Sequence, residues 1–69
     1  MVEIFKTDVC NTKEAADVVT ALQHLLPLHK INFDLQDCDK VLRIEGIGII
    51  NQVIIETVIG KGFQCKLLN

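Results

Sequence analysis

Between Asn11 and Pro27 the apolar residues Ala15, Val18, Val19, Leu22, Leu25 and Leu26 recur at three- and four-residue steps, whereas on either side of this stretch apolar and polar residues alternate. A period near about 3.6 gathers side chains on one stripe of a helix, and a period of about two gathers them on one face of a strand. A chain that switches between the two must therefore lay a helix against a sheet. Asn11, with Glu14 three residues on, resembles a capping box and predicts where the helix starts. Pro27 lacks the amide hydrogen that a continuing helix needs, and so predicts where it stops.

The remaining elements follow from the same periods. Val2 and Ile4, with Phe5 at the margin, mark a short strand that runs out near Thr7-Asp8-Val9. Ile31, Phe33 and Leu35 alternate with Asn32, Asp34 and Gln36, the pattern of a strand covered on one face and wet on the other. Asp37-Cys38-Asp39-Lys40 reads as the turn after it, and Leu42 and Ile44, alternating with Val41, Arg43 and Glu45, as the returning strand, closed by Gly46. Residues 47–59 are rich in β-branched side chains, which favours strand, but their length favours helix. We read them as a helix with Ile50, Val53, Ile54, Thr57 and Val58 on its buried face and with Gly60 and Gly62 as its stop. Ile55 and Ile59 would then point away from that face, either as scattered surface apolars or as a contact surface for a partner. Phe63, Cys65 and Leu67 alternate with Gln64 and Lys66 as a last strand. The order β-α-β-β-α-β predicts an α+β, ferredoxin-like fold: a four-stranded antiparallel sheet with two helices on one face, in a single domain spanning 1–69.

Composition narrows the function classes. A chain of 69 residues buries only about 60% of its unfolded surface, and with no Trp or Tyr the core must come from Leu, Ile, Val and Ala. No apolar run approaches the ~20 residues that span a bilayer, and Met1 to Lys6 is too short and too alternating for a signal peptide, so a cytoplasmic protein is expected. Three cysteines, an odd number without framework spacing, fit free thiols in a reducing compartment. A net charge of -2 with mixed signs argues against a nucleic-acid footprint. There is no phosphate loop, no nucleophile elbow and no catalytic spacing of Cys, His and Asp, which indicates a non-enzymatic protein. His24 falls opposite the apolar stripe and His29 lies beyond the helix end, so both read as surface residues and not as a zinc pair.

The loop Thr7-Asp8-Val9-Cys10-Asn11-Thr12-Lys13, the closing Gly60-Lys61-Gly62-Phe63-Gln64-Cys65 and the order of elements together resemble the heavy-metal-associated domain family, which includes copper chaperones and the amino-terminal modules of metal-pumping ATPases. The resemblance spans essentially the whole chain. The family carries a C-x-x-C pair in the first loop; here Cys10 matches its first cysteine and Lys13 stands at the second. Two thiolates at a helix N-terminus can hold Cu(I) in nearly linear geometry, which one alone cannot do. The resemblance therefore implies a degenerate site for Cu(I) or another soft ion. Its second thiolate would come from Cys65, whose inward phase also suits a small core residue, or from Cys10 of a second copy. Lys13 and Lys61 would offset thiolate charge beside Phe63, and the implied partner is a metal-transporting ATPase. Cys38, in the hairpin turn, is expected at the opposite end of the sheet. The alternative is an interaction or regulatory domain that has kept the fold without the metal and that self-associates or senses a small ligand, as ACT-type domains do.

Overall fold

The computed structural model describes residues 1–68. Its elements are β1 (Val2–Thr7), α1 (Thr12–Leu25), β2 (Lys30–Asp34), β3 (Val41–Glu45), α2 (Asn51–Gly60) and β4 (Cys65–Leu67). The strands form one antiparallel sheet in the order β2-β3-β1-β4, which with two helices gives the expected ferredoxin-like arrangement. Phe5, Ile31, Leu42 and Ile44 from the sheet meet Ala15, Val18 and Leu22 of α1 and Ile54 and Val58 of α2 in a single core. In β1 it is Phe5 and Thr7 that face this core, so alternation sends Val2 and Ile4 to the open face.

Helix α1 begins as its sequence predicts. The Asn11 side chain accepts from the Glu14 amide at 2.8 Å, and the Glu14 carboxylate accepts from the Cys10 amide at 3.0 Å, one residue outside the position a capping box normally serves. The helix ends at Leu25 before Pro27, and Leu25 itself is left exposed.

Helix α2 departs from the expectation on two counts. It starts only at Asn51, with Ile50 as an extended, uncapped entry residue. The buried pair is Ile54 and Val58, with Ile55 half-buried against the core, while Ile50 and Val53 are exposed. Ile55 is therefore turned in, not out, and only Ile59 keeps its expected outward position. The cause is the near-uniform apolar composition of Asn51–Gly60, in which several faces are equally greasy, so packing over the sheet and α1 chooses among them.

Strand β4 is also shorter than the alternation suggests. Its pairing with β1 starts at Thr7 opposite Cys65, where β1 ends, so Phe63 has no strand to pair with. Phe63 instead donates its amide to the Val58 carbonyl at 3.3 Å, after Gly62 turns the chain at φ +96°, and packs half-buried against the core. His29 is not an idle surface residue either. Its Nε2 donates to the Ile47 carbonyl at 2.7 Å, and its ring lies so close to Gly46 that a Cβ there would collide with it.

Candidate functional site

The elements alternate in direction along the chain, so the first, third and fifth connections share one end of the sheet, and the second and fourth share the other. The sequence expectation for Cys38 is therefore wrong. Phe5 pairs with Leu42 and Val2 with Glu45, which sets the start of β3, and the turn before it, beside the end of β1. Cys10 in the first connection, Cys38 in the third and Cys65 at the start of β4 all lie at the same end.

Hydrogen bonds stitch these segments together. The Thr7 amide donates to the Asp39 carbonyl at 3.0 Å, and the Thr7 hydroxyl donates to the Lys40 carbonyl at 2.6 Å. The same hydroxyl oxygen accepts from the Val9 amide at 3.2 Å, and Val9 itself is sunk in the core, which pins the loop that carries Cys10. On the other side, the Asp8 carboxylate accepts from the Gln64 amide at 2.7 Å and ties that loop to the residue before Cys65. Lys6 also pairs with Asp39 at 3.4 Å, but both are exposed enough that solvent screens most of this interaction.

The thiols differ in character. Cys10 is exposed just outside the α1 cap, with Sγ donating to the Asp8 carbonyl at 3.3 Å. Cys38 is exposed between Asp37 and Asp39, and the potential ligand atoms of these residues lie within 4.8 Å of one another. Part of that capacity is already engaged, since the Asp37 carboxylate accepts from the Asp39 amide at 2.9 Å. Lys40 closes the turn at φ +46°, a strained conformation for a residue with a Cβ, and its Nζ donates to the Leu35 carbonyl at 2.9 Å. Cys65 is half-buried against the core, and burial pushes its thiol up to about 11, so it holds its proton at neutral pH.

The supporting residues named from the sequence share one surface beside the start of α1. Lys61 reaches Asp17 on the outer face of α1, at 3.6 Å. With Lys13, Glu14 and Phe63 it lines an open groove of about 650 Å³ to which Cys10 does not contribute. Sequence reasoning missed that Cys38 lies at the same end of the sheet as Cys10, although counting the direction of successive elements would have found it. Among the described residues no helix is long and apolar enough to cross a membrane. No protein-family model, no curated protein and no solved structure matches the chain.

Proposed function

We propose that this domain captures and hands over a soft metal ion such as Cu(I), with Cys10 and Cys38 as its thiolate ligands. What supports the reading is that two exposed thiols occupy adjacent connections joined through Thr7. Cys65 is the weaker ligand, because a thiolate there must form in a desolvated place. Two thiolates suit Cu(I), while Asp37 and Asp39 beside Cys38 offer oxygen ligands that harder ions such as Zn(II) accept. Binding releases thiol protons, so affinity falls in acid, and transfer proceeds by ligand exchange at an exposed surface. The recipient consistent with this chemistry is a thiolate-bearing module of a metal-transporting ATPase.

An anaerobic Cu(I) competition titration against a chromophoric chelator tests the assignment. Uptake is expected to disappear in Cys10→Ser and in Cys38→Ser and to persist in Cys65→Ser. Loss in Cys65→Ser with retention in Cys38→Ser would return the second ligand to Cys65. Equal uptake by all variants, or none by the native chain, would refute the metal reading. A second reading, an interaction domain without metal, is favoured by the exposed aliphatic residues at the other end of the sheet.

A further inference from the structure

The end opposite the cysteines is built from the second and fourth connections, and it is unusually greasy. Leu28 is 94% exposed, Ile47 90%, Ile50 63%, Leu25 52% and Val53 38%. Between the end of α1 and the start of α2 lies a groove of about 200 Å³ lined by Leu25, Leu26, Gly48, Ile50, Val53 and Ile54, none of them charged. Leu28 and Ile47 stand beside it as projecting knobs, each adjacent in sequence to groove-forming segments.

This surface is braced. Gln23 Nε2 donates to the carbonyls of Leu26 at 3.1 Å and His29 at 3.2 Å, and the His29 ring donates to Ile47 across the two connections. A patch already held in shape loses little freedom when it is covered. Isolated exposed aliphatics need no explanation, but a contiguous, preorganised set beside an uncharged groove does.

We propose that this end is the interface of a two-fold homodimer in which Ile47 and Leu28 of each copy fill the aliphatic groove of the other. The proposal develops the interaction reading above and is independent of the metal reading. A two-fold interface must be self-complementary, and this patch supplies both knob and groove. None of the residues lining the groove is charged, so filling it with aliphatic side chains of a second copy buries no unpaired ion there; at the same end Lys30 and Glu45 oppose each other across β2 and β3, and Met1, whose carbonyl accepts from the Gly46 amide, adds the chain's amino group. An anionic lipid surface would call for an excess of basic residues that this end lacks. The exposed aliphatic surface is on the order of 500 Å² per copy, most of the roughly 800 Å² that a standard interface takes from each partner, with the remainder falling on a polar rim.

Sedimentation equilibrium on the reduced protein, with a chelator present so that no shared metal can bridge two copies, decides the matter. The native chain is expected to dimerise in a concentration-dependent way. Ile47→Asp and Leu28→Asp, checked as folded by circular dichroism, are expected to raise the dimer dissociation constant by more than about 100-fold, because each places a carboxylate in the groove. Ile59→Asp, at an exposed aliphatic position outside the groove, is expected to leave it unchanged. A native chain still monomeric at about 1 mM would overturn the homodimer. If the monomer's Leu28 and Ile47 amide resonances then shift on adding phosphatidylcholine vesicles, the interaction reading survives with lipid as the occupant; if they do not, that reading loses its support as well. A dimer abolished by Ile59→Asp but not by Ile47→Asp would also overturn it and move the contact elsewhere.

Discussion

Replacing Thr7 with Val tests whether this residue organises the cysteine end. The side chain is buried, and its hydroxyl serves two bonds at once, donating to the Lys40 carbonyl and accepting from the Val9 amide. Thr7→Val keeps the shape but removes both. Losing the bond to Lys40 costs about 0.5–1.5 kcal/mol, and leaving the Val9 amide without its partner costs about 1–3 kcal/mol. The added methyl returns roughly 0.8 kcal/mol of apolar burial, so the net destabilisation is about 2 kcal/mol. A domain of this length has a total stability of only about 3–10 kcal/mol, so the loss is a substantial fraction of it. With a urea dependence of about 1 kcal/mol per molar, the midpoint should fall by about 2 M. Since the chain has no Trp or Tyr, the transition is best followed by far-UV circular dichroism. Thr7→Ser, which keeps the hydroxyl and gives up one methyl, should lose only about 1 kcal/mol. Hydrogen exchange at the Val9 amide should accelerate in Thr7→Val and not in Thr7→Ser. A Thr7→Val protein as stable as the native chain, or more stable than Thr7→Ser, would refute the argument that this hydroxyl holds the two connections together.

Other expectations follow from the same geometry. Burial raises the Cys65 thiol from 9.0 to about 11, so between those values the folded chain keeps a proton that the unfolded chain gives up. Its contribution to stability is therefore intact below about pH 9 and lost as pH rises through about 11; urea midpoints measured across that window should fall more steeply for the native chain than for Cys65→Ala. Asn11→Ala removes the acceptor for the Glu14 amide and should cost about 1 kcal/mol, which lowers the melting temperature by about 4–8 °C, while Asn11→Ser should largely preserve it.

How much of the candidate site was legible depends on which relation is asked for. That Cys10 precedes a capped helix could be read from Asn11 and Glu14 alone, and the bonds at 2.8 and 3.0 Å follow that reading. The end of the sheet at which Cys38 lies was implicit in the element order but had to be counted through successive reversals of direction, so it was misplaced. The state of Cys65 could not be read locally. Its alternation with Gln64 and Lys66 says which way it points, whereas its raised thiol pKa depends on how much of the core closes over it.

The sequence by itself determined the order of elements, the boundaries of α1, the β2–β3 hairpin and the inward phase of Ile31, Phe33, Leu42 and Ile44, because in each case polar and apolar residues differ sharply at the period of the element. Only the tertiary structure decided which face of α2 is buried, where β4 begins, that His29 braces Ile47, and which aliphatic residues are left exposed. In Asn51–Gly60 nearly every residue is apolar and the local pattern is degenerate, so the face that turns inward is the one whose side chains fit the space left by the sheet and α1. The length of β4 depends in the same way on its partner, since a strand can pair only as far as β1 runs beside it.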